Sequence, residues 1–176
     1  MIFNKCKIQG AYIIDLQRRQ DERGFFARFW CENEFEAEGL LGRVAQINTG
    51  YSHKAGTLRG MHYQMPPNSE AKVVRCLRGA VFDVIVDLRP ESPTHKQWTG
   101  VDLTGDNGRM VYVPEGCAHG YLTIEDATEL LYLTSKPYAP NSATGVRSDD
   151  PAFGIVWPSV PLVISQADQD WPDYCR

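Results

Sequence analysis

The chain has 176 residues, 43% of them hydrophobic, with 22 acidic against 18 basic side chains and a formal net charge of −4. That length and apolar content suit one globular domain over residues 1–176, with room for a sizeable core. The acidic balance argues against nucleic-acid or membrane-surface partners as a class, and no stretch has the length of a membrane span.

In chain order, MIFNKCKIQG carries no apolar core of signal-peptide length. CENEFEAEGLL (31–41) reads as the one helix, acidic early and closed by Gly39. Turn clusters then recur, among them HKAGT, MPPNSE, LRPESP, LTGDNG, VPEG and YAPNSATG. Between them KVVRCL (72–77), AVFDVIVDL (80–88), RMVYVP (109–114) and ATELLYLTS (127–135) have strand length and composition. In AVFDVIVDL, Phe82, Val84, Val86 and Leu88 share one face while Asp83 and Asp87 lie on the other. Short strands at this spacing predict an all-β, antiparallel sandwich or barrel. SVPLVISQADQDWPDY (159–174), with its prolines, reads as an irregular tail. Cys6, Cys31, Cys76, Cys117 and Cys175 are odd in number and lack CxxC spacing. They fit the reduced thiols of a soluble cytoplasmic protein, not a disulfide framework or zinc site.

The polar residues offer both plain and functional readings. His53 and His95 sit in polar turns and read as solvated surface. His62, between Gly60-Met61 and Tyr63, and His119, after VPEGCA, suit partly buried positions, where a core histidine and a functional one are equally at home. Lys72 opens a strand: facing inward it needs an anion or polarised oxygen, facing outward it is an ordinary edge lysine. Tyr132 shares a strand face with Leu130 and Thr134, so its hydroxyl either finds a structural partner or serves as a proton donor. Asp168 is a solvated tail residue unless the tail folds back to orient a histidine.

NGRMVYVPEGCAHGYLT (107–123) matches the second cupin signature from Gly108 through Pro114, Gly116 and His119, with Thr123 where the pattern has Asn. The first signature, which supplies the metal ligands of metal-binding cupins, is broken, because His62-Tyr63-Gln64 offers a single imidazole. Only His62, His119 and Glu70 could be assembled, where a tight divalent site wants three protein ligands and an open position, so a metal-dependent cupin enzyme is the lesser alternative. DERGFF (21–26), TLRGMHYQ (57–64), AKVVRCLRGAVFDVIVDLRPESPT (71–94), VPEGCAHGY (113–121), DDPAFGIVWP (149–158) and ISQAD (164–168) follow one family's order. On these motifs the chain resembles the dTDP-4-dehydrorhamnose 3,5-epimerases, a metal-free branch of the cupins.

The resemblance implies a cupin-type jelly roll with a few short helices, no cofactor, a homodimer, and a nucleotide-diphosphate 4-keto-6-deoxyhexose as substrate. By position, His62 is similar to the family's general base, Asp168 to its carboxylate partner, Tyr132 to the general acid and Lys72 to the group that steadies the enolate. His119 matches a residue around the sugar. Arg23 and Arg59 match nucleotide contacts, with a surface ion-pair role as their plain alternative. Gln46, Asn48 and Tyr138 match further substrate contacts. The chain departs from the family pattern at Arg28, Ala143, Ala167, Ser148-Asp149-Asp150 and Thr49-Gly50-Tyr51-Ser52, mostly rim and nucleotide-side positions. The expectation is an epimerase inverting C3 and C5 of dTDP-4-dehydro-6-deoxyglucose. The alternatives are a mono-epimerase acting on a CDP- or other nucleotide sugar, and a non-catalytic sugar-binding cupin.

Overall fold

The computed structural model describes residues 1–174; Cys175 lies outside the described residues. Its architecture is the expected all-β, cupin-like one, with two sheets facing each other. The first runs β1 (Ile2–Lys5), β2 (Tyr12–Asp15), β10 (Met110–Val113), β7 (Lys72–Arg78), β12 (Thr128–Thr134) and β5 (Gln46–Ser52). The second runs β13 (Ala143–Gly145), β6 (Thr57–Gln64), β11 (Cys117–Thr123), β8 (Ala80–Asp87) and β9 (Trp98–Thr104), with β14 (Val163–Ile164) also on β6. A separate hairpin joins β3 (Arg19–Asp21) to β4 (Gly24–Phe26). No helix among the described residues is long and apolar enough to cross a membrane.

Alternation explains the layers. Inward residues of both sheets, among them Val74, Cys76, Leu130, Val81, Ile85 and Tyr121, form the central core. The outer face of the first sheet is covered by Phe29, Trp30 and α1 (Glu32–Ala37), whose Phe35 is fully buried. The outer face of the second is covered by the chain after β13, including Val146, Phe153 and Trp157. With both faces of β8 covered, Asp83 and Asp87 are completely buried rather than facing water. α1 is shorter than the sequence suggested: the Gly39 N–H bonds to Glu36 O and the Leu40 N–H to Phe35 O, a Schellman stop with Gly39 at φ +73°.

Two other expectations change. His95 is half-buried, its Nε2 3.0 Å from the Tyr174 hydroxyl. The tail is also ordered. Val163 and Ile164 pair in parallel with Thr57 and Leu58, and α2 (Gln166–Gln169) follows, with the Asp168 N–H donating to the Ser165 hydroxyl. That serine cap satisfies an N–H the helix itself cannot. It leaves the Asp168 side chain free to turn towards β6.

Candidate active site

The two sheets splay apart at one end around a cavity of about 790 Å³, within the usual range for small-molecule sites. The first sheet contributes Gln46, Asn48, Lys72 and Tyr132; the second contributes Arg59, His62, His119 and Tyr121. Tyr138 closes one side of the rim, its backbone N–H donating to Gln46 Oε1 at 2.5 Å. Asp168 enters from α2.

Arg59 and His62 lie an odd number of positions apart, which in a regular strand would send them to opposite faces. The pairing of β11 with β6 shifts register here: His119 faces His62, but Tyr121 faces Arg59, so β6 carries one extra residue. The bulge brings Arg59 and His62 to the same cavity. It needs Gly60, whose φ is +130° and whose Cβ, were there one, would lie 2.5 Å from the Cα of Gly120. Arg59 donates to the Tyr51 carbonyl at 3.2 Å and has no ion-pair partner among the described residues, so its charge is available to a ligand.

His62 Nε2 lies 2.6 Å from Asp168 Oδ1, with the imidazole side chain 47% exposed and the carboxylate 8%. Asp168 Oδ2 accepts the Gly60 N–H at 3.3 Å, so the same bulge that turns the strand also anchors the carboxylate. Lys72 faces inward; its ammonium sits 3.1 Å from Glu70 Oε1 and donates to the His62 carbonyl at 3.3 Å. Burial pushes the Tyr132 phenol well above its ordinary value, with Tyr121 and Asp83 adding to the effect and Arg59 opposing it. The hydroxyl therefore keeps its proton at neutral pH and can donate it.

His119 is buried on the cavity wall, Nε2 2.8 Å from Asp83 Oδ2. Desolvation raises the Asp83 carboxyl above its usual range, against the pull of His119 and Lys72. Gln64 is a knot. Its amide nitrogen donates to Glu70 Oε2 at 2.9 Å, Asn68 O at 3.0 Å and Pro137 O at 3.3 Å, and its oxygen accepts the Ala139 N–H at 2.6 Å. His62, His119 and Glu70 are thus each committed to another side chain. No group of three His, Cys, Asp or Glu among the described residues is arranged to hold a metal ion.

Arg23 is the one sequence candidate the fold does not bring here. It sits in the β3–β4 turn, highly exposed, paired with Asp21 at 2.7 Å. Conversely, sequence reasoning passed over Asp83, Tyr121 and Trp171. Asp83 was visible as a charge inside an apolar strand. Tyr121 and Trp171 gave no local signal, because only the meeting of distant segments sets them at the cavity. A carboxylate-held imidazole on one wall and a phenol on the other can remove a proton from one side of a carbon and return it on the other.

A family model described as dTDP-4-dehydrorhamnose 3,5-epimerase matches residues 5–175. The dTDP-4-dehydrorhamnose 3,5-epimerase of Salmonella typhimurium is 42% identical over 160 residues, covering 90% of this chain and 86% of that protein. The dTDP-4-dehydrorhamnose 3-epimerase of Streptomyces niveus is 42% identical over 164 residues, covering 93% and 79%. Among solved structures, the dTDP-4-dehydrorhamnose 3,5-epimerase of Bacillus anthracis with TDP and pyrophosphate bound superposes with a TM-score of 0.94 at 35% identity, covering 98% of this chain and 99% of that one.

Proposed function

The chain belongs to the dTDP-4-dehydrorhamnose 3,5-epimerase family, and from that premise we propose that its cavity inverts C3 and C5 of dTDP-4-dehydro-6-deoxyglucose through enolate intermediates. It is a carbohydrate epimerase, and its substrate is a nucleotide-diphosphate sugar. A ketone at C4 acidifies the hydrogens on both neighbouring carbons, since either carbanion delocalises onto the ketone oxygen. His62 takes the proton, and Asp168 fixes its tautomer and stabilises the imidazolium. Lys72 supplies positive charge where the enolate oxygen develops. Tyr132 returns a proton from the opposite wall, so the centre inverts. His119 contacts the sugar. Arg59 pairs with the diphosphate, and Gln46, Asn48 and Tyr138 hold the remainder of the substrate. The observation that carries this reading is the 2.6 Å His62–Asp168 pair, opened to a cavity whose facing wall holds a protonated phenol.

We further propose that residues 1–176 act as one domain of a cytoplasmic homodimer in which Arg23 reaches the partner's diphosphate. Its exposure outside its own cavity supports this, as do the neighbouring Phe25 and Phe26, 51% and 70% exposed. The four described cysteines are free, which suits a reducing compartment.

Incubation with dTDP-4-dehydro-6-deoxyglucose in D2O, followed by NMR, tests the activity. Deuterium should enter C3 and C5. Entry at one carbon alone would make the protein a mono-epimerase, as the Streptomyces niveus relative is named, and entry at neither would sink the substrate.

A further inference from the structure

His62 depends on a carboxylate that the tail delivers from 106 residues away, on a helix of only four residues. The imidazole side chain is 47% exposed, so packing alone does not hold the pair in line. How the tail is docked therefore decides where Asp168 stands. Before α2, Val163 and Ile164 pair with Thr57 and Leu58; after it, the Tyr174 N–H donates to Asp150 Oδ2 at 2.7 Å. Within α2, Gln166 bonds to Asp170 and Gln169 to the Ile164 carbonyl, so these side-chain bonds stay inside the tail.

Trp171, three residues beyond Asp168, reaches across instead. Its indole lies over Gly145, where a Cβ would stand 2.5 Å from Trp171 Nε1 and 2.6 Å from Cε2, closer than real side chains come. Gly145 is the register partner of His62 in the β13–β6 pairing. Next to it, Met61 and Val146 exchange both backbone bonds, which fixes that register. The tail thus grips one point of the sheet twice, Asp168 through the imidazole and Trp171 through the residue that faces it. The buried indole N–H makes no hydrogen bond among the described residues. A buried tryptophan ordinarily finds a partner for that group, so this position uses the bulk of the ring and not its donor.

We propose that Trp171 is a positioning residue: its ring, seated in the notch that Gly145 leaves, sets Asp168 against His62. The kinetic consequence rests on the epimerase reading, whereas the geometry it fixes does not. Because filling the notch is what counts, the rate should follow side-chain size, with phenylalanine nearest to tryptophan, leucine next and alanine last.

Trp171→Ala, Trp171→Leu and Trp171→Phe test this, assayed on dTDP-4-dehydro-6-deoxyglucose beside a thermal melt. The residue is half-buried and lies beyond the last helix, so the variants should fold. Trp171→Ala should lower kcat by about tenfold to a hundredfold, the scale on which a displacement of about 1 Å acts, with KM changed less than about twofold. Trp171→Phe, which loses only the unpartnered N–H and part of the ring, should recover most of the rate. In an Asp168→Ala background, removing Trp171 should cost little more, because the carboxylate it places is already gone. A full further loss in that background overturns the proposal. A raised KM with kcat kept also overturns it and makes Trp171 a substrate contact. So does a crystal structure of Trp171→Ala, or of Trp171→Leu should the alanine variant not fold, in which Asp168 still lies 2.6 Å from His62. If the wild type exchanges no deuterium at C3 or C5, the epimerase reading falls, and the crystal structure still decides the docking role of Trp171.

Discussion

His62 and His119 stand opposite each other in one strand pairing and each holds a carboxylate, yet one imidazole stands out into the cavity while the other is buried in its wall. Asp168 is brought to its histidine by a capped turn of helix in the tail, through bonds made at a bulge. Asp83 sits in the middle of a central strand with ladders on both sides. The same two functional groups therefore face opposite demands. At the open imidazole, the carboxylate has the task we propose for it, tuning a base. Where the imidazole is almost wholly buried in the wall, the pair must chiefly satisfy itself, and its loss falls first on the fold.

The sharpest way to break that contrast is at the open pair. His62→Ala should lower turnover by roughly 10²–10⁴-fold with the protein still folded, measured by product formation beside a thermal melt; near-normal turnover would remove His62 as the base. Next comes stability. Removing one member of a buried pair costs about 3–5 kcal/mol, so Asp83→Asn should lose that much in urea unfolding, while Asp168→Asn should lose about 1 kcal/mol and show its deficit in activity. Equal stability losses would erase the distinction. Gly60→Ala should cost about 1–3 kcal/mol through its positive φ, and should depress activity because the bulge aligns Arg59, His62 and Asp168.

The smallest effect concerns acid. Asp87, on the same strand as Asp83, is also buried, which alone would raise its carboxyl, but Arg89, Ser92 and Thr94 hold it at about 2. That value lies below the ordinary aspartate pKa near 3.9, so its contribution is complete above about pH 4 and is lost as pH falls through about 2. Urea midpoints between those limits should fall less steeply for Asp87→Asn than for the wild type. Asp83, shifted upward, binds its proton more readily in the folded state, so its effect has the opposite sign and lies above about pH 4, before Asp87 begins to protonate.

The strands could be read from the sequence because alternation and turn residues are local. KVVRCL, AVFDVIVDL and ATELLYLTS appear within a residue or two of where they were expected. The tail could not, since two residues of parallel pairing leave no periodicity to detect. Nor could the meeting of His62 with Asp168, whose separation of 106 residues leaves no local trace and was anticipated only through family likeness. Asp83 illustrates a different limit. Alternation assigned it to the face opposite Phe82 and Val84, but not which face would be wet; the cover over both sides of β8 decided that.

Gln64 gives the molecule a direction in sequence space. A second imidazole at that position is what a metal-binding relative of the fold would need, and a single substitution could supply it. Here, however, the amide holds Glu70, Asn68, Pro137 and Ala139 together, and Glu70 in turn holds Lys72. A histidine could not reproduce those bonds, so the exchange would loosen two rim loops and the lysine before any ligand set was complete. The bonds gathered on one amide thus guard the present chemistry, because a change at Gln64 would disturb Glu70, Lys72 and both loops at once.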